Sequence, residues 1–217
     1  MFTTSNKKFL SRNKKLQSKL TIGISGFARV GKNSLSDLLK KQAEISGLKA
    51  KCFSFAFALK KDLDDFCKKS FDISAFCESD KKNIIRPILI AYGECQRSVS
   101  DGSYWWKKIM QEVNQFYKEG GDVAIISDLR FKEYEADELD YIRSYANSLV
   151  FVVERTLQNG EKIGPAHESE KNNIPVIAKA SDLILNWKTI DQNNDTLALQ
   201  ACEASSLCSK FFKKIKN

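Results

Sequence analysis

The stretch Gly26-Phe27-Ala28-Arg29-Val30-Gly31-Lys32-Asn33-Ser34 constrains this chain more than any other. It follows Leu20-Thr21-Ile22-Gly23-Ile24-Ser25, a short β-prone run. It precedes Leu35, Leu38, Leu39 and Ala43, whose spacing marks one face of a helix. A G-x-x-x-x-G-K match set between a strand and a helix reads as a phosphate-binding loop. Gly26 and Gly31 let the backbone curl so that its N–H groups, those of Ala28, Arg29 and Val30 among them, point inward. The helix N-terminus adds positive potential. Lys32 then reaches the β- and γ-phosphates of a nucleoside triphosphate such as ATP. The competing reading is a tight strand-to-helix turn with a chance lysine. One position departs from the pattern. The hydroxyl residue that normally follows the lysine and ligates Mg²⁺ is replaced by Asn33, with Ser34 displaced by one helical position. The protein ligand of the metal therefore stays open between Asn33, Ser34 and, through water, Asp128.

A chain of 217 residues with 42% hydrophobic content buries a substantial core and is most simply one α/β domain with an insertion. No apolar run approaches the ~20 residues of a membrane helix, and no signal-peptide core is present. The net charge of +8 is unevenly spread. Lys7, Lys8, Arg12, Lys14, Lys15 and Lys19 stand near the start with no acid among them, and Lys210, Lys213, Lys214 and Lys216 stand near the end, again without one. The body between is slightly acidic. The basic balance thus belongs to two tails, 1–19 and 210–217, which argues against a nucleic-acid-binding core and specific nucleic-acid partners. A basic, acid-free, Ser/Thr-containing start resembles an organelle transit peptide, and reads more simply as a solvated tail. The six cysteines (52, 67, 77, 95, 202 and 208) form no C-x-x-C, and one histidine does not complete a zinc set. They read as reduced thiols of a cytoplasmic protein.

Beyond the loop, the pattern predicts strands at 50–55, 123–127, 149–153 and 183–185, and helices from Phe55 to about Lys69, around 84–92, from Ser103 to Phe116 and from Lys132 to Ala146. Thr196 onward reads as a closing helix. Pro87 belongs to the first turn of its helix or kinks it. Gly160, Gly164 and Pro165 mark 156–173 as a loop, the core of a lid over about 154–173. Strands alternating with helices predict a doubly wound parallel sheet of about five strands with helices on both faces. A single domain over 20–209 carries a helical insertion at about 56–118.

In such a sheet, ligands bind outside the carboxyl ends of the strands. Lys32 follows the first strand, Lys60 the second, Asp128 and Arg130 the third, and Arg155 the fourth. That ring suits phosphoryl transfer, which asks for charge neutralisation more than covalent chemistry. Asp128 can hold the Mg²⁺ shell or accept the attacking group's proton, or it can simply cap a helix. Arg86 and Arg97, eleven residues apart, share one helix face if the helix passes unbroken through Gly93. Two arginines on one face suit bidentate phosphate binding, and equally a solvated basic face.

These segments resemble, in order, the bacteriophage-type deoxynucleoside monophosphate kinases, relatives of the adenylate-kinase-like P-loop kinases. The resemblance runs through Gly31-Lys32-Asn33-Ser34, Phe55-Ala56-Phe57-Ala58-Leu59-Lys60, Arg86 through Gly93, then Arg97, Asp101 and Tyr104-Trp105. It continues through Asp128-Leu129-Arg130-Phe131, His167-Glu168-Ser169-Glu170, and Ala180-Ser181-Asp182 with Asn186. It spans roughly residues 20–190. Phe57 and Ile90 stand where the family has Asp and Gln, and Asn33 where it tends to have Asp. The resemblance implies transfer of the γ-phosphate of ATP to a 2′-deoxynucleoside 5′-monophosphate with Mg²⁺, in the cytoplasm of a host cell. On it, Lys32 and the loop amides hold ATP. Lys60, Arg86 and Arg130, with Arg97 and Trp105 near, take the acceptor. Arg155 is a lid arginine and His167 organises the lid. It also implies a homodimer. Two alternatives remain: a P-loop kinase for another phosphate acceptor, of the dephospho-coenzyme A or phosphomevalonate type, or a non-catalytic nucleotide-binding module.

Overall fold

Alternation along three central strands decides the architecture. In β1 (Leu20–Ser25), Leu20, Ile22 and Ile24 enter one core, while Thr21, Gly23 and Ser25 face the other side. In β3 (Val123–Ile126), Val123 and Ile125 join the first core and Ala124 and Ile126 the second. β4 (Ser148–Thr156) repeats the split, with Leu149, Phe151 and Val153 against Val150 and Val152. A strand apolar on both faces must be covered on both. With β2 (Ala50–Phe53) and β5 (Leu183–Lys188) they form a five-stranded, all-parallel sheet in the order β2-β3-β1-β4-β5. The expected α/β sheet flanked by helices is borne out in this computed structural model, which describes residues 19–78, 80–189 and 196–216.

One face is covered by α1 (Lys32–Ile45) and the last helix, α7 (Leu197–Lys216). Leu35, Leu39 and Ala43 of α1 meet Ala204, Cys208 and Phe212 of α7 in the first core. The other face is covered by α4 (Ser103–Lys118) and α5 (Glu138–Arg143), with Ile174 and Ile177 of α6 (Glu168–Lys179). The buried stripe of α4 is Trp105, Ile109, Val113 and Tyr117, so the core takes Trp105 rather than Trp106 and Tyr117 rather than Phe116. A smaller core joins α2 (Phe55–Phe71) to α3 (Lys82–Val99) through Leu63, Cys67, Ile85 and Leu89. Pro87 sits inside α3, which runs on unbroken through Gly93.

Three expectations are corrected. The helix expected over Lys132–Ala146 is confined to Glu138–Arg143. Residues 130–134 stay extended or turned because side chains take their N–H groups: Glu138 accepts from Arg130 and Phe131, Asn173 from Lys132, and Asp137 from Glu133 and Tyr134. Backbone donors satisfied in this way do not need a helix. The expected lid loop gives way at Glu168 to α6, a helix that the sequence reading lacked, with Pro175 inside it. The basic stretch 210–216 is the end of α7, where Phe212 is 6% exposed. Lys19, assigned to the first tail, pairs with Asp122 at 2.9 Å, and residues 1–18 lie outside the described residues. Among the described residues no helix is long and apolar enough to cross a membrane.

Candidate functional site

The loop after β1 is bent by residues that tolerate the bend. Gly26 and Gly31 have φ of 136° and 101°, and Arg29 also enters the left-handed region at 66°. Glycine is required at both ends for a second reason. A Cβ on Gly26 would stand 2.3 Å from the carbonyl oxygen of Val153, and one on Gly31 would strike the Trp187 ring. Val30 is fully buried and anchors the loop to the core. Gly31 is the N-cap of α1 and offers no side chain to its first N–H groups. Those donors, aligned with the positive end of the helix, suit an anion. Asn33 and Ser34 are both exposed at the start of α1.

Lys32 folds back over the loop, its Nζ donating to the carbonyls of Gly26 (2.8 Å) and Phe27 (2.7 Å). Burial first, and then the positive charge of Arg130, push its pKa down to about 8 against the opposing pull of Glu170 and Asp128. Lys32, Asp128, Arg130 and Glu170 therefore form one electrostatic cluster. The structure brings the first three together as expected and adds the fourth.

Beside this cluster lies a cavity of about 400 Å³ between α2, α3, α4 and the start of α6. Lys60, Arg86, Arg97, Trp105, Asp128 and Arg130 all line it. Its lining also includes the apolar side chains of Leu59, Leu89, Ile90, Trp105 and Phe131. Its cations differ in how far they are neutralised. Arg97, 4% exposed, makes two 2.9 Å bonds to Asp137 and a third of 3.1 Å to Glu133, with its guanidinium 3.6 Å from the centre of the Phe131 ring. Burial works against ionising Asp137, yet the bonds from Arg97 and from backbone N–H groups outweigh it and hold its pKa down. Arg97 is thus on the expected helix face but committed to structure. Lys60 pairs with the exposed Glu78 at 3.2 Å. Arg130 lies 3.1 Å from Glu170. Arg86 Nη2 lies 2.9 Å from His167 Nε2. A guanidinium only donates, so that ring nitrogen accepts and the imidazole is neutral. Arg86 keeps its full charge in that contact.

Asp128 takes the structural role that competed with the catalytic one. Its Oδ1 accepts from Phe55 N (2.9 Å), and its Oδ2 accepts from Ala56 N (2.8 Å) and the Ser54 hydroxyl (2.7 Å). It closes the N-terminus of α2, a helix that begins 73 residues before it in the chain. Trp105 donates its Nε1–H to the Gly93 carbonyl (3.2 Å) and is a core residue that also walls the cavity. Arg155 is not a cavity residue. It donates from Nε to Thr189 Oγ1 (3.0 Å) and stacks 4.5 Å over Trp187, the ring that contacts Gly31. Among the described residues no group of three or more His, Cys, Asp or Glu side chains gathers to hold a metal.

Glu138 and Glu170 are site residues to which the sequence reading gave no role. Burial pushes Glu138 up to about 8, and its Oε2 pins the backbone of Arg130 and Phe131. The signal available for Glu170 was its place in the His167-Glu168-Ser169-Glu170 stretch. Glu138 had none. No family model matches the chain, and no curated protein matches it. Among solved structures it is similar to the crystal structure of APE1195, at 11% identity and a TM-score of 0.43, over 89% of this chain and 97% of that one.

Proposed function

We propose that the chain is a P-loop kinase that transfers the γ-phosphate of ATP to a deoxynucleoside 5′-monophosphate. The observation that carries this reading is the pairing of two half-sites at the carboxyl end of the sheet. One is the glycine loop with Lys32 and the uncapped start of α1. The other is a cavity lined by cations and by apolar side chains. Phosphate suits Arg86, Lys60 and Arg130, which all line the cavity. A planar base suits the side chains of Leu89, Ile90, Trp105 and Phe131.

ATP would lie along the loop, with its phosphates on the loop amides and Lys32. Mg²⁺ accompanies the nucleotide and takes few protein ligands of its own. The Ser34 hydroxyl and the Asn33 carbonyl are the oxygens that fit it, because both oxygens of Asp128 already accept hydrogen bonds from the start of α2. When bound, the metal neutralises charge on the phosphates. The chain's own contribution is alignment. Arg130 faces both half-sites, Lys32 meets the donor, and Arg86 meets the acceptor. An acceptor phosphate is already nucleophilic at neutral pH, so no strong base is needed, and neutral His167 serves Arg86 instead. The homodimer implied by the resemblance belongs to the same proposal.

The test is a coupled ADP-release assay of the purified chain with Mg·ATP against all deoxy- and ribonucleoside monophosphates, with dephospho-coenzyme A and phosphomevalonate as controls. Turnover with a deoxynucleotide supports the reading. Turnover with a control alone moves it to another kinase. ATP binding without any acceptor turned over leaves a nucleotide-binding module.

A further inference from the structure

Glu170 is an acidic side chain that the proposed mechanism leaves unused, and it is wholly buried. It stands in the first turn of α6, just after His167, Glu168 and Ser169, which line the cavity. Its Oε2 accepts from Ala166 N at 2.9 Å and from Ala28 N, a phosphate-loop amide, at 3.4 Å. Its Oε1 lies 3.1 Å from Arg130 Nη2, out of line for a hydrogen bond, and among the described residues it has no hydrogen-bond partner. Burying a carboxylate oxygen without a hydrogen bond is costly, so something besides packing holds it there. What surrounds it is positive: two backbone amides, a guanidinium, and the Lys32 ammonium within electrostatic reach.

This is the donor set that an oxyanion takes, since carboxylate and phosphoryl oxygens make the same demands on N–H groups and guanidinium. We infer that Ala28 N–H, Ala166 N–H and Arg130 form an anion subsite that Glu170 fills with its own carboxylate, and that its external ligand is a tetrahedral oxyanion such as a phosphoryl group. The inference rests on the phosphate-loop reading above. An incoming phosphoryl oxygen claims the Ala28 amide and Arg130, and two anions do not share them. Glu170 must withdraw, and the first turn of α6 moves with it. His167 is the N-cap of that helix and accepts from Arg86, so filling the loop also releases Arg86 in the cavity. Donor binding and acceptor binding are coupled through one helical turn.

The opposing account makes Glu170 a brace that aims Arg130, and it predicts the opposite sign. Glu170→Gln keeps the shape and removes the charge. Titration calorimetry of the full chain with inorganic phosphate, sulfate and Mg-free ATP decides between the two. The subsite predicts that the variant binds phosphate and sulfate about tenfold more tightly than wild type, the scale of one like charge at contact range. Equal or weaker binding overturns it. If the variant does not fold, hydrogen exchange of the wild type decides. Saturating inorganic phosphate should speed exchange at Ser169 through Lys171, and slowed or unchanged exchange overturns the subsite. ATP separates the two readings. Tighter phosphate binding in a variant that, like wild type, ignores ATP leaves the subsite standing and removes the kinase. Equal ATP and phosphate affinities in both proteins leave the kinase and remove the subsite.

Discussion

Replacing Lys32 by methionine should stabilise the fold while removing the proposed kinase activity. Met retains most of the stem and deletes the charge. Lysine is ionised in the unfolded chain up to its ordinary 10.5, but in the fold burial lowers the value to about 8. Below pH 8 the ammonium is charged in both states, and folding carries the whole penalty of burying it. That gap corresponds to about 3 kcal/mol, an upper figure because the side chain is only partly enclosed. Against it stand the two bonds to the Gly26 and Phe27 carbonyls, each worth about 1 kcal/mol. Lys32→Met should therefore be more stable by about 1–2 kcal/mol at pH 7. Between pH 8 and 10.5 the unfolded wild type binds more protons than the folded one, so wild-type stability rises with pH and the advantage of the variant shrinks. Urea unfolding at pH 7 and pH 10 reads both effects. A variant destabilised by 1 kcal/mol or more at pH 7, or an advantage that does not change with pH, would refute the account of Lys32 as a buried charge held for a ligand. Turnover should meanwhile fall by more than about a hundredfold, the scale of losing a charge-stabilising donor.

Arg97→Ala leaves Asp137 buried without its guanidinium and should cost about 3–5 kcal/mol in urea unfolding; a loss under 1 kcal/mol would return Arg97 to the surface role. A chain ending at Ser209 loses the buried Phe212 and should unfold with at least about 2 kcal/mol less stability, where the charge pattern alone expected a dispensable tail. Arg130→Lys should raise the acceptor KM and also weaken ATP binding, because lysine lacks the planar fork and Arg130 serves the anion subsite beside the loop as well as the cavity; steady-state kinetics that leave both KM values unchanged would refute this. Arg155→Lys, whose parent guanidinium stacks on the ring beneath Gly31, should act on the KM for ATP; a fall in kcat alone would restore the lid role that its sequence position suggested.

What was legible in the sequence was periodic or local. The two-residue alternation of β1, β3 and β4 and the helical stripes of α1 and α4 follow directly from side-chain spacing. The glycines of the loop follow from backbone sterics at two neighbouring turns. What was illegible depends on side chains that satisfy distant backbone. Nothing near Asp128 announces that it will close a helix begun 73 residues earlier, and nothing near Lys132 announces that Asn173 will take its N–H and keep the segment from coiling. Such bonds have no period, and they decide which carboxylates are free for chemistry. The same holds for the cations. Spacing put Lys60 and Arg130 at the carboxyl end of the sheet and Arg86 and Arg97 on one helix face, but could not rank them. Partners do. Arg97 is neutralised by a buried Asp137 and serves the fold. Arg130 is held by Glu170 and becomes available only when that carboxylate leaves. Lys60 leans on an exposed, screened Glu78, and Arg86 on a neutral imidazole. An anion approaching the cavity meets the least compensated charge first, so the acceptor phosphate should be drawn to Arg86 and Lys60 before Arg130 is released to it. That order follows from how each charge is already neutralised, a property of the fold rather than of residue type.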